Sequence, residues 1–219
     1  MKRFTCFSLL FLVFGWGVSA LAYEKGDFVF RVGVVNVSPN DDSGEVLGND
    51  GVSVDDNTQL GLTGSYFFSS HVAVEVLAAT PFTHDIDGTG ALEGLPIGET
   101  THLPPTICLQ WFPASSTSAF QPYLGAGINY TLFFSEETTD QLTAALGAQS
   151  TDLKLDASFG FALEAGFDYN FSDKWGVNLA VWYIDIETDA DVIVNGQTAT
   201  TVDVTIDPTV VHLAVAYRF

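Results

Sequence analysis

Residues 210–219, VVHLAVAYRF, carry the chain to its carboxyl terminus on a strict alternation. Val211, Leu213, Val215, Tyr217 and Phe219 fall on one side of a period-2 pattern, and His212, Ala214, Ala216 and Arg218 on the other. Termini of water-soluble domains usually fray into polar residues. A strand that keeps one face apolar to its last residue needs an apolar medium on that face throughout.

The same alternation recurs in seven earlier segments. Phe28, Phe30, Val32 and Val34 share one side of the first, and Leu60, Leu62, Tyr66 and Phe68 one side of the second. Val72, Val74 and Val76 oppose Ala73, Glu75 and Leu77 in the third; Leu103, Ile107, Leu109 and Trp111 oppose His102, Thr106 and Gln110 in the fourth. The last three, PYLGAGINYTLFF, SFGFALEAGFDYNF and KWGVNLAVWYI, set large apolar residues against Gly, Asn, Glu, Asp and Trp182. A soluble antiparallel sandwich also alternates, but three features favour a membrane barrel. No Asp, Glu, Lys or Arg occupies the apolar side of any of the eight stretches, where a basic residue at the bilayer midplane costs about 2–4 kcal/mol. The opposite side is small and polar, as an enclosed bore requires. Aromatic residues crowd the strand ends (Phe28, Tyr66, Phe68, Trp111, Tyr123, Phe171, Trp175 and Phe219), as in an interfacial girdle.

Connections alternate between short turns near Ser69, Ser115 and Asp173 and long loops at 38–56, 80–101, 135–153 and 188–206. Ten residues at ~3.3 Å, tilted ~40°, rise about 25 Å, the height of the apolar band of such barrels. The pattern predicts an all-β fold: an eight-stranded antiparallel transmembrane β-barrel, with long extracellular loops, short periplasmic turns and both termini at the periplasmic side. At the other end, MKRFTCFSLLFLVFGWGVSALA has Lys2 and Arg3, an apolar run and a small-x-small site. Residues 1–22 therefore read as a secretory signal peptide cut after Ala22, and residues 23–219 as the barrel, placed in the outer membrane of a Gram-negative cell.

Composition narrows the function. Loss of Lys2 and Arg3 with the leader takes the basic residues from 7 to 5 against 27 acids, a formal charge of −22 that excludes nucleic acid as a partner. Cys108 is then the one cysteine left, so no disulfide within the chain is expected. His71, His84, His102 and His212 lie in no G-x-S-x-G or H-x-x-x-H context, so no enzyme, catalytic residue or cofactor is expected. The acids of NDDSGEVLGNDG (40–51) lack the ordered alternation and closing glutamate of a calcium loop, and no metal is assigned to them.

Several segments also carry a resemblance. NTQLGLT (57–63), EVLAATPF (75–82), HLPPT (102–106), PYLGAGINYT (122–131) and VWYIDI (181–186) together resemble the OmpW/AlkL family of outer-membrane proteins. The resemblance implies a narrow lumen opening to a hydrophobic extracellular vestibule, and passage of small hydrophobic molecules, leaving through the bore or sideways into the membrane. It also implies that the terminal Phe219 is read by the barrel assembly machinery. Outer-membrane lipid and lipopolysaccharide are the expected neighbours, although the acidic run PFTHDIDG departs from basic residues that family members can carry there. An envelope-stabilising barrel or a surface receptor without transport is the alternative.

Parity assigns the bore. Arg31, Glu75, Gln110, Asn129, Glu164, Asp168, Asn178 and Arg218 are expected to form its polar lining, with the arginines paired to Glu75, Glu164 or Asp168, since enclosed charges need partners. Leu77 and Trp182 are large and apolar on the same parity, and are expected to floor the vestibule. Phe82, Ile86, Leu95, Pro96 and Ile97 are expected to help line it. Pro104-Pro105 cannot both sustain a ladder, so a lateral gap is expected between the third and fourth strands.

Overall fold

The computed structural model describes residues 23–40, 42–43, 51–115 and 118–219; the leader expected at 1–22 and most of the acidic run after Asn40 lie outside them. In chain order the strands are β1 (Phe28–Ser38), β2 (Asp42–Ser43), β3 (Val52–Val54), β4 (Asn57–Ser69), β5 (Val72–Ala79), β6 (Phe82–Gly88), β7 (Pro96–Leu103) and β8 (Thr106–Trp111). They continue as β9 (Phe120–Thr138), β10 (Thr151–Leu155), β11 (Ser158–Asn170), β12 (Trp175–Ile184), β13 (Glu187–Val194), β14 (Gln197–Thr205) and β15 (Thr209–Arg218), with one short helix, α1 (Asp140–Ala145), between β9 and β10.

Eight of these close a ring. β1 pairs with β4, β4 with β5, β5 with β8, β8 with β9, β9 with β11, β11 with β12 and β12 with β15, all antiparallel. β15 returns to β1, with Val215 opposite Val32 and Leu213 opposite Val34. The ring is the eight-stranded barrel that the alternation predicts, and closure leaves no strand edge to face hydrocarbon. The outward set is exposed along the wall: Val34, Leu60, Leu109, Leu124, Ile128, Leu163 and Leu213 all stand open on the outer surface. The inward set is buried, including Arg31, Glu75, Gln110, Asn129, Glu164, Asp168 and Asn178.

Glycines on the inward parity make room for the large bore residues. A Cβ at Gly125 would lie 2.5 Å from Glu164 Oε2, and one at Gly166 2.6 Å from the Tyr123 hydroxyl. Tyr123 itself is a correction to the girdle. It is buried in the bore, because Leu124 takes the lipid-facing position, whereas Phe28, Tyr66, Phe68, Trp111, Phe171, Trp175 and Phe219 are exposed as expected.

Among the described residues, much of the long extracellular connections is itself paired strand that continues the ladders above the ring. The upper part of β9 pairs with β7, β7 with β6 and β6 with β3, which extends one wall outward as a flap. β10, β13, β14 and β2 form a second sheet. The acids that suggested loops occupy one parity of real strands: in β6, Thr83, Asp85 and Asp87 are exposed while Phe82, His84 and Ile86 are buried. A bulge where Ile86 pairs with Gly98 and Asp87 with Pro96 turns Ile97 inward beside Thr100 and His102.

Leu213, 58 % exposed in the middle of β15, tests the direction of the wall. Leu213→Lys is expected to lower unfolding stability in lipid vesicles by about 2–4 kcal/mol, as a charge at midplane depth does. Urea titration of vesicle-inserted protein measures it.

Candidate functional site

The bore divides into a filled lower half and an apolar upper chamber. Arg31 is the centre of the lower half and is fully buried. Its Nε donates to Asp168 Oδ1 at 2.9 Å and its Nη2 to Asp168 Oδ2 at 2.6 Å, a bidentate fork. Nη1 donates to Glu75 Oε2 at 2.8 Å and to Ser65 Oγ at 2.6 Å. Asn178 donates to Asp168 Oδ1 and to the Tyr123 hydroxyl, both at 2.9 Å, and Gln110 donates to both oxygens of Glu164.

Below this network an aromatic stopper closes the periplasmic end. Tyr23, the first residue after the expected cleavage site, donates its hydroxyl to Asp168 Oδ2 at 2.7 Å. Its ring packs on Phe67 and Phe112, and Phe112 packs on Tyr123. Hydrogen bonds and packed rings fill the cross-section, as the small interior of eight strands allows. Arg218, assigned to the lumen by parity, is a correction: it sits at the rim of this end, partly exposed, with Nη1 3.6 Å from Asp27. β15 ends there, so its bore-facing side chain lies at the rim rather than in the channel. Asn129 lies higher, bonded to Thr106 and Thr131.

Above the network the bore turns apolar. Trp182, Leu77, Phe82, Ile184 and Val210 are buried together in the same core cluster. Leu77, Phe82, Pro104, Ala78 and Ala79 surround a small void of about 10 Å³. It adjoins the place where the β5–β8 ladder stops, at Leu77 opposite Thr106; Ala78 and Ala79 have no partner on β8 because Pro104 and Pro105 precede its first residue.

The larger chamber lies between the two extracellular sheets and measures about 80 Å³, several times the ~10–15 Å³ that one water molecule needs. Val52, Val54, Ile86, Ile97 and Phe133 form one wall; Leu153, Leu155, Val192, Val202 and Val204 form the other, with Ile206 at the base. Several of these are only half-buried, so the chamber is reached from outside.

The expected vestibule residues divide. Ile86 and Ile97 line the chamber. Leu77 and Phe82 line the void beside it, and Trp182 is packed beneath them, 1 % exposed. Leu95 and Pro96 are corrections. Leu95 packs with Ile86, Ile97 and Leu142 in a side cluster, and Pro96 lines an acidic outer cleft with Asp85, Asp87, Glu99 and Glu137. The bulge turns Ile97 inward and leaves Pro96 on the outer side, while Leu95 packs behind Ile86 and Ile97.

Sequence reading missed most of the chamber. Ala190, Val192, Val202, Val204 and Ile206 keep period-2 spacing within Asp- and Thr-rich runs, and that spacing was the available signal. It also missed the histidine pair. β6 and β7 bring His84 Nε2 to 3.0 Å from His102 Nε2, and the two rings line the chamber with Thr100. Burial lowers His84 against the pull of the Asp55 carbonyl and the charges of Asp56, Asp55 and Asp85, and burial pushes His102 down to about 3. Both rings are neutral at pH 7. Their depressed values mean that stability is lost as pH falls from about 6.5 toward 3, because the unfolded chain binds protons that the folded pair refuses. Among the described residues, no three His, Cys, Asp or Glu side chains gather as a metal site.

A family model described as the OmpW family matches residues 24–219. Outer membrane protein W of Vibrio cholerae is 46 % identical over 201 residues, covering 90 % of this chain and 91 % of that one. The crystal structure of the outer membrane protein OprG from Pseudomonas aeruginosa superposes with a TM-score of 0.80 at 41 % identity, covering 90 % of this chain and 98 % of the other. A more distant relative, the dibenzothiophene metabolism operon protein PahQ of Pseudomonas aeruginosa, is 29 % identical over 203 residues, covering 90 % of each.

The Arg31 network makes a clear prediction. Arg31→Leu leaves Asp168 and Glu75 buried without their cation and is expected to cost about 3–5 kcal/mol in vesicle unfolding. Adding Asp168→Asn and Glu75→Gln to Arg31→Leu is expected to recover most of that loss.

Proposed function

The chain belongs to the OmpW family of Gram-negative outer-membrane barrels, and on that premise we propose that it takes up small hydrophobic molecules through the extracellular chamber and releases them sideways into the membrane. The observation that carries this reading is the stacking of an apolar chamber on a filled polar bore. A hydrophobic solute entering the chamber gains about 25 cal/mol per Å² of apolar surface removed from water. The straight route onward is closed to it: it would have to displace the fork between Arg31 and Asp168 and the Tyr23, Phe67 and Phe112 rings.

The side route is open to such a solute. Leu77 and Phe82 continue the greasy surface toward Pro104, where the ladder between β5 and β8 has stopped and no backbone hydrogen bond has to break. Beyond that wall lies the hydrocarbon of the bilayer. The operon named for the relative PahQ, dibenzothiophene metabolism, points to the same class of solute. On this reading Trp182 is the floor that separates solute from the polar network. Phe219, 70 % exposed at the end of the closing strand, presents an aromatic terminus to the assembly machinery, and lipopolysaccharide surrounds the outer sheets.

Uptake in a deletion strain tests the proposal. Restoring the protein is expected to raise entry of an aromatic hydrocarbon several-fold. A disulfide between cysteines at Ala79 and Pro104, in a Cys108→Ala background, is expected to abolish that gain, and reductant to restore it. Undiminished uptake in the oxidised double-cysteine protein would contradict the lateral exit.

A further inference from the structure

Among the described residues that line the chamber, His84 and His102 are the two that titrate, and both are buried, at 3 % and 4 % exposure. Their hydrogen bonds are set for the neutral state. His84 Nδ1 is bonded to the carbonyl oxygen of Asp55, which only accepts, so that nitrogen carries the ring's proton and His84 Nε2 is a lone pair. The facing nitrogen, His102 Nε2 at 3.0 Å, is then the donor. His102 Nδ1 has no partner among the described residues, and the ring lies between Phe82 and Phe133, with centroids 5.5 and 5.8 Å away.

One more proton breaks this arrangement wherever it lands. On His84 Nε2 it puts two N–H groups face to face. His102 can then turn acceptor only by moving its own proton to Nδ1, where none of the described residues receives it. On His102 Nδ1 it makes a cation between two phenyl rings, with the same orphan donor. Either way a charge sits in an apolar wall, at a cost that water would remove. Charge reaches the pair from the solvent side alone: Asp55 and Asp56, from the link before β4, and Asp85 of β6 act on His84, and all three are exposed. β7 adds the neutral Thr100, and β1, β3, β9, β10, β13 and β14 present only Phe133 and aliphatic side chains to the chamber.

We propose that the pair is an acid-operated latch: protonation draws the flap of β3, β6 and β7 away from the second sheet and lets water into the chamber between them. The strand pairing permits it. The two sheets share no ladder among the described residues. Side chains tie them along β9 and β10, where the Thr138 hydroxyl donates to the Thr151 carbonyl and the Leu155 amide to Glu136, and that seam is the hinge. Closed, the rings refuse a proton; open and wet, they titrate near the ordinary histidine value of about 6.5. Each pH unit below about 6.5 therefore multiplies the ratio of open to closed by up to tenfold for every proton taken up. The latch does not depend on which solute the chamber takes, or on whether it passes one.

The test uses full-length protein in phosphatidylcholine nanodiscs, with nitroxides on cysteines replacing Thr83 of β6 and Thr201 of β14 in a Cys108→Ala background. Both positions are exposed. Pulsed electron–electron resonance is expected to give one short distance at pH 7.5, and a longer, broader one that takes over as pH falls from about 6.5 to 3.5. In ¹⁵N-histidine spectra of the same protein, His84 and His102 are expected to take up protons over the range in which the wall opens. His84→Phe combined with His102→Phe keeps the aromatic stack and every nearby carboxylate, and is expected to hold the short distance throughout. A distance unchanged down to pH 3.5 overturns the latch. So does opening of the double variant at the same pH as the parent, which would assign the change to the carboxylates. Opening while both rings stay neutral overturns it as well, and that comparison needs no histidine variant.

Discussion

A backbone amide facing hydrocarbon without a partner costs several kcal/mol, and a strand brings such groups to the membrane along both of its edges. Ring closure answers that cost, and β15 completes it by returning to β1 over ten matched residue pairs, from Val29 and Arg218 to Ser38 and Thr209. Once the ring is closed, parity decides every side chain in it. Outward positions meet lipid and must be apolar; inward positions share a bore so small that they must interlock. Arg31 is buried there because Asp168 and Glu75 are brought to it from strands on other parts of the wall. The same closure that excludes lipid from the backbone fills the route through the barrel.

A filled bore changes what the extracellular strands have to do. A barrel that conducted water would need only mobile loops at its mouth. Here the ladders run on above the ring into two facing sheets, and the space between them is walled by Val, Leu and Ile. The chamber and the polar network are held apart by Trp182 and its neighbours. Two environments of opposite character therefore sit within one continuous sheet system, and the break in pairing before Thr106 lies level with the apolar one.

The ring was legible in the sequence because lipid on one face and packing on the other enforce a strict period, as in Val211, Leu213 and Val215 or Trp175, Val177 and Leu179, with no charge on the apolar side. Arg31, Glu75 and Asp168 were legible as a buried group for the same reason, although parity does not say which acids the arginine takes. The chamber was largely hidden. Val192, Val202 and Val204 alternate with Asp191, Thr201 and Asp203, and with water on their outer face those strands look like acidic loops. The apolar run Leu95-Pro96-Ile97 does not say which of its residues faces inward, because that depends on the bulge at Ile97, and composition carries no mark of a bulge. Arg218 was misplaced because parity fixes a direction but not a depth. The pairing of His84 with His102 depends on the register of β6 against β7, which periodicity alone leaves open.

The central claim is a closed ring with lipid outside and a packed, water-excluding bore at the level of Arg31. Nitroxide scanning along β15 in lipid vesicles tests it most directly, reading collision with oxygen, which concentrates in lipid, and with a water-soluble nickel chelate. The account predicts high oxygen access at positions 211, 213 and 215, and access to neither reagent at 212, 214 and 216. Nickel access at 212, 214 and 216 would mean a water-filled channel and would contradict it.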